Sequence, residues 1–261
     1  MSIEVKHVIA ELNKLAPEHL AEEWDNVGLQ IGSRDHQVSR ILLALDATSK
    51  VIDEAISINA DMIITHHPMI LSPLKNIVRD NPKGNNIYKL IQNNISLYVM
   101  HTNFDTACGG TNDILAQKIG LYNIEVIDPD ENGMGIGRIG ETKKTTIKEL
   151  SQQLKKELDI THARVVGNLD RHINKVAICT GSGMSFIKSA IGKADIFITG
   201  DVKFHEAQEA QELGIGIIDV GHYGSENIAM PSIKRHLDEL SRSNSIEIII
   251  SQINEDPFII I

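Results

Sequence analysis

Cysteine is nearly absent: Cys108 and Cys179 are the only two in 261 residues, far apart and without CxxC spacing. That argues against a disulfide framework and against a closed structural zinc site built on thiolate pairs. Aromatic residues make up 4% of the chain. The core must therefore come from Ile, Leu, Val, Ala and Met, a composition suited to parallel strands covered by helices. No apolar run reaches the length needed to cross a bilayer. Excess positive charge is missing too. The formal charge of −10 repels a polyphosphate backbone and speaks against general nucleic-acid binding, though not against one small anionic substrate held by a local cation. The opening MSIEVKHVIAELNKLAP spaces Ile3, Val8, Ile9, Leu12 and Leu15 as a helix closed by Pro17, not as a signal peptide. A cytoplasmic protein is expected.

What the chain does contain is a hydrophobic run driven into two imidazoles, ADMIITHHPMI, with His66 and His67 before Pro68. The surrounding segment occurs twice. Residues 40–68, RILLALDATSKVIDEAISINADMIITHHP, align without a gap on residues 174–202, NKVAICTGSGMSFIKSAIGKADIFITGDV. Each copy reads as strand, turn, helix and second strand, which implies neighbouring parallel strands with a right-handed crossover. Downstream, ISLYVMHTNFD ends in His101-x-x-x-Asp105, and IGIIDVGHYGSE ends in His222-x-x-x-Glu226. The expected fold is α/β: two similar, internally duplicated halves with mainly parallel sheets flanked by helices and a metal site in the cleft between them. The first half is assigned to residues 1–125 and the second to 126–261. The middle of the chain carries one helical pattern, TTIKELSQQLKKELDI. The tail, SIEIIISQINEDPFIII, reads as two short β-rich runs that complete a sheet or cover an edge, by returning to the first half or in a partner subunit.

In open α/β sheets ligands collect beyond the carboxyl ends of the strands. Four short elements put hard or borderline ligands there: His66 with His67, His101 with Asp105, Asp201 with His205, and His222 with Glu226. Residues one helical turn apart, such as His222 and Glu226, can point one way. At a strand end His66 and His67 can splay toward two ions. Imidazoles with carboxylates suit zinc, manganese or iron. Each element also has an ordinary reading: HHP as a plain strand end, HxxxE as a solvated helix face, His205 as one residue of a charged helix. The combination of two duplicated strand ends with paired His-x-x-x-acid motifs is what favours a metal.

Two glycine-rich stretches compete for attention. GIGRIG, residues 135–140, has the letters of a dinucleotide fingerprint but follows IDPDENG rather than a strand, so a glycine-rich turn is expected. TGSGMS, residues 180–185, does join a strand to a helix. Its amides could cradle a phosphate, and a tight turn explains it equally well. Arg34, Lys75, Arg138 and Lys203 are candidate phosphate partners whose ordinary reading is surface charge.

Taken in order, WDNVGLQIG, ITHHPMI, HTNFD, GIGRIG, TGDVKFHEA and GHYGSE resemble the NIF-three-like family, also known as GTP cyclohydrolase 1 type 2 homologues. The resemblance implies a dinuclear centre of two divalent ions held by His66, His67, Asp105, His222 and Glu226, with Glu226 as the bridge. It places His101 and His205 in the same motifs, with supporting or proton-transfer roles. It also implies a toroidal homohexamer. At this length, with only the short GIGRIG-to-helix segment in the middle, the inserted central domain of some longer relatives is expected to be absent. The implied activity is hydrolysis of a small molecule, with a metal-activated water attacking the guanine imidazole ring of GTP or another nucleotide-type substrate. The alternative is a metal-handling or regulatory oligomer without turnover.

Overall fold

A computed structural model of the chain describes residues 2–253 and 256–261. The chain forms two compact units: Met1–Phe104 together with Ala229–Ile261, and Asp105–Ile228. This differs from a division at residue 125. The chain leaves the first unit just after its third parallel strand, and the helix Ala229–Asn244 returns to pack on the helix Val5–Leu15.

The first unit is built on a five-stranded sheet in the order Glu247–Ile250, Arg40–Ala44, Met62–Thr65, Ser96–Val99, Gly28–Ile31. The first four strands run parallel, and Gly28–Ile31 closes one edge antiparallel to Ser96–Val99. The first apolar run of the tail is thus a sheet strand beside Arg40–Ala44. The second, Phe258 to Ile261, is exposed and forms no strand. Met62–Thr65 and Ser96–Val99 are buried at every position, as strands covered on both faces must be. One face carries Leu42, Ile63 and Leu97 against Val51, Ile52 and Ala55 of the helix Ser49–Ser57 and Ile87 and Leu90 of the helix Pro82–Gln92. Local chemistry starts both helices. The Thr48 hydroxyl accepts from Val51 N at 3.3 Å, and Asn81 Oδ1 accepts from Gly84 N at 2.7 Å with Pro82 just inside.

The second unit holds six strands in the order Tyr122–Val126, Arg138–Thr146, His172–Ile178, Ile196–Thr199, Gly216–Asp219, Arg164–Val166. The three in the sequence order 172, 196, 216 are mutually parallel; the flanking pairs are antiparallel. Ile196, Ile198 and Ile218 pack to one side, while Phe197 and Ile217 pack to the other. The central helical pattern is the helix Ile147–Glu157, opened by a reciprocal capping box between Thr146 and Glu149.

The repeat of strand, helix and strand is therefore real, but its gapless register is off by one. Asp61 Oδ2 accepts from the amides of Ser39 and Arg40, and Asp195 Oδ2 accepts from those of Asn174 and Lys175. Arg40 thus corresponds to Lys175, not to Asn174. The second crossover is one residue shorter, using a 3-10 turn, Gly183–Phe186, and a single helical turn, Ile187–Ala190. The downstream motifs are displaced as well. Met100 N donates to Thr65 O and Val220 N to Thr199 O, so His101 is matched by Gly221 and not by His222. Gly221 sits at φ +77°, a left-handed turn that costs glycine little, and it delays the second histidine by one position.

Candidate metal centre

In the first unit, His66 and His67 follow the strand Met62–Thr65 directly. The ladder runs one step past the strand, with His67 N donating to Leu45 O at 2.9 Å, and Thr65 Oγ1 bonds the His67 carbonyl at 2.9 Å. The two rings do not take opposite faces. Their centroids lie 5.2 Å apart, and the His101 ring lies 5.3 Å from the first and 5.7 Å from the second. Each of the three offers a ring nitrogen within 4.8 Å of the other two, a group that could hold a metal ion. His101, expected in a supporting role, is part of that group.

The orientation of each ring is fixed from behind. His66 Nδ1 donates to the Met100 carbonyl at 2.8 Å, His67 Nδ1 bonds Asp46 Oδ1 at 3.0 Å, and His101 Nδ1 is 2.9 Å from both Asp25 oxygens. With Nδ1 engaged by an acceptor, the tautomer that remains presents Nε2. This is the outer arrangement metal-binding histidines ordinarily have. Asp25 is fully buried at its carboxylate. Burial would raise its pKa, but hydrogen bonds from His101 and Thr102, the His101 charge and the Asn26 N–H hold it down at about 2.

In the second unit, the short helix His222–Glu226 puts its two ends one turn apart, and His222 Nε2 meets Glu226 Oε2 at 3.0 Å. His222 Nδ1 is 2.7 Å from Asp201 Oδ2. The same clamp thus recurs, and Asp201 adopts φ +56°. Glu226 and Asp105 are both buried, and their carboxylate oxygens lie within 4.8 Å of one another. The Thr111 hydroxyl donates to Asp105 Oδ1. Two buried carboxylates this close repel unless a cation or a proton comes between them. Gly181 makes room for Glu226: a Cβ there would stand 2.0 Å from Glu226 Oε1. Burial, reinforced by the Asp105 and Glu226 charges, pushes the Cys179 thiol well up, so this sulfur stays protonated.

Other candidates land elsewhere. His205 is exposed on the helix Phe204–Glu212, its Nδ1 3.2 Å from Gln208 Oε1, and it joins no group of three potential ligands among the described residues. Arg138 is not a surface charge. It is buried and bonded to Asp113 and to the carbonyls of Gly135, Gly137, Thr106 and Ala107. It opens the strand Arg138–Thr146, so only the first half of GIGRIG is the expected turn, and Arg138, Ile139 and Gly140 are strand. In TGSGMS the amides of Gly181 and Gly183 already donate to Ser225 Oγ and Thr199 Oγ1, so these two do not cradle a phosphate. Sequence reasoning passed over the orienting acids Asp25 and Asp46. Asp25 lies in the quoted WDNVGLQIG and Asp46 two residues past the strand Arg40–Ala44, but only long-range geometry pairs them with histidines.

Imidazoles clamped at Nδ1 beside buried carboxylates, set at the ends of parallel strands, define an α/β protein with residues fit to bind a divalent metal. The chain belongs to the DUF34/NIF3 family, whose model, Duf34/NIF3 (NGG1p interacting factor 3), matches residues 3–257. A Clostridium perfringens protein named GTP cyclohydrolase 1 type 2 homolog is 38% identical over 261 residues, covering 98% of this chain and 99% of its own length. A Clostridium acetobutylicum protein of the same name is 36% identical over 265 residues, covering 99% of each. The crystal structure of a Bacillus cereus protein related to NIF3 matches with a TM-score of 0.92 at 29% identity, covering 100% of this chain and 99% of that one. No helix among the described residues is long and apolar enough to cross a membrane.

Proposed function

We propose that the chain is a dinuclear-metal-dependent hydrolase acting on a nucleotide-type substrate, with His66, His67, Asp105, His222 and Glu226 as ligands. The observation that carries this reading is the set of Nδ1 clamps. The proposed ligands His66, His67 and His222, at strand ends, each have that nitrogen on an acceptor, which orients Nε2 for a cation, and His101 is clamped in the same way beside them. The close buried pair Asp105 and Glu226 adds the negative charge that such ions need. The donor set contains nitrogen and oxygen and no thiolate, and it admits zinc, iron or manganese. When bound, a pair of such ions supplies Lewis acidity that activates water and polarises the substrate.

The protein's own part in the reaction is proton handling. Asp25 holds His101 in the tautomer whose Nε2 accepts a proton, and it stabilises the imidazolium that results. His205, exposed and turned to Gln208, has no part in this scheme. The names of the relatives direct the choice of substrate toward GTP. A homo-oligomer, the hexamer included, belongs to the same reading. Phe204, Phe258 and Ile259 leave apolar surface exposed that an assembly would cover.

Elemental analysis of protein purified without added metal, followed by assays against GTP and a panel of nucleotides and phosphoesters, tests the proposal. About two ions per chain and turnover of one nucleotide class are expected. Activity that survives His67→Ala combined with Glu226→Ala removes the mechanism. Stoichiometric metal without any turnover would instead assign the protein to metal handling.

A further inference from the structure

The chain has a single tryptophan, and the fold leaves it in the open. Trp24 is 59% exposed, and its ring stands edge-on to His101 with centroids 5.9 Å apart. Leaving the largest apolar side chain in water forgoes burial that the fold could have used. The chain segment around it is nevertheless held fast on both sides. Glu22 N donates to Thr102 Oγ1 at 3.0 Å, and Asp25 N donates to Glu22 O at 2.9 Å. Asp25 accepts from Thr102 N at 3.1 Å while clamping His101. Asn26 Nδ2 donates to Ile70 O, and Asn26 O accepts from Gln30 Nε2 at 2.7 Å. A rigid backbone therefore presents an exposed indole at the rim of the His66–His67–His101 cluster. Such a pre-ordered aromatic surface binds a planar ring without first having to be organised.

We infer that Trp24 is the stacking platform for the planar heteroaromatic ring of the substrate, set beside the histidine cluster so that the bound ring lies next to His101. The inference rests on the metal-hydrolase reading and adds the residue that selects a ring-bearing substrate over a simple phosphoester. The chemistry recognised is a flat heteroaromatic ring such as a purine, since stacking needs a π-face and tolerates differences in the substituents around it.

Because Trp24 is the only tryptophan, its emission reports on this position alone. On the as-purified protein, GTP and guanosine are expected to quench that emission saturably, and inorganic tripolyphosphate is not. In equilibrium dialysis Trp24→Ala should weaken GTP binding by roughly ten- to a hundredfold, the range found when a base-stacking aromatic is removed. Trp24→Phe should recover most of the affinity, and metal content and oligomeric state should match the parent protein in both variants. Unchanged GTP affinity in Trp24→Ala, with metal content intact, overturns the platform. A change of oligomeric state in Trp24→Ala overturns it too, by making Trp24 a contact between copies. Failure of the metal-hydrolase reading shows separately, as turnover that persists in His67→Ala with Glu226→Ala.

Discussion

Both carboxylate oxygens of Asp25 lie 2.9 Å from Nδ1 of His101, a residue 76 positions further along the chain. This pairing joins a buried acid to an imidazole of the histidine cluster, and it sets both the direction of the ring and which nitrogen carries the proton. Asp25→Asn keeps the shape but replaces one acceptor oxygen with a donor. We expect metal content to hold while turnover falls about a hundredfold or more, the usual contribution of a positioned general base. The fall should appear in kcat rather than in KM, with a displaced pH profile. Turnover within a factor of two of the parent would remove His101 from the proton-transfer step.

The same contact makes a prediction about acid stability. The Asp25 carboxyl is held at about 2, below its ordinary 3.8. A depressed carboxylate stabilises the folded chain above its unfolded value, and this contribution disappears as the pH falls from about 4 to about 2. Asp25→Asn should therefore cost on the order of 2 kcal/mol at neutral pH, and almost nothing near pH 2. Urea unfolding of both proteins at pH 7 and at pH 3 measures the difference. A gap that stays the same at both values would show that the carboxylate charge is not the cause.

Removal of metal should loosen the whole fold. An ion that binds only the native state at a hundred times its Kd adds about 2.7 kcal/mol. For a chain of this size that corresponds to a fall in Tm of several degrees on chelation. His66→Ala and Glu226→Ala should reproduce the lower Tm and should no longer respond to the chelator. A parent protein whose Tm ignores the chelator would carry no stabilising ion.

Much of this architecture can be read directly from the chain. The apolar runs ending in His66-His67, at Met100 before His101, and in Gly200-Asp201 announce parallel strands because every position in them is apolar or small. Short apolar runs of that kind, bounded by turn residues, fit strands covered on both faces. The displaced register of the repeat could not be seen, because a short strand pattern reads equally well when shifted by one residue. The carboxylates of Asp61 and Asp195, each bonded to two successive amides, and the strand pairings of Ile41 with Met62 and Val176 with Ile196 fix the correspondence. Nor could the sequence separate Arg138 from a surface charge, since its burial follows from a partner, Asp113, 25 positions away. The orienting acids behind the histidines escape for the same reason: Asp25 and Asp46 look like ordinary loop acids until the fold brings an Nδ1 to each.

Gly181 is the position where a single methyl group tests the geometry of Glu226. It lies at φ +64°, and a Cβ would stand 2.0 Å from Glu226 Oε1 and 3.5 Å from His222 Nε2. Gly181→Ala adds backbone strain of about 1 kcal/mol or more and also displaces the carboxylate. Metal affinity should fall further than stability does, by at least tenfold, because the carboxylate moves away from its productive position. Isothermal titration of the metal, compared with urea unfolding, separates the two effects. Equal metal affinity in the variant would show that Glu226 is not held where a ligand must be.

Arg138 offers the opposite test, of a charge that belongs to the scaffold rather than to substrate. Its guanidinium is 2.6 Å from Asp113 Oδ1 through Nε and 3.1 Å from Oδ2 through Nη2, and it also bonds four backbone carbonyls. Arg138→Met leaves the Asp113 carboxylate poorly solvated and without its countercharge, which costs about 3–5 kcal/mol. Replacing Asp113 with Leu at the same time removes the stranded charge, so the double variant should regain a large part of that loss. GTP affinity of the folded double variant should stay within about twofold of the parent, a change of under half a kcal/mol. A large loss of nucleotide affinity in a double variant that unfolds normally would return Arg138 to the substrate, against the buried network that encloses it.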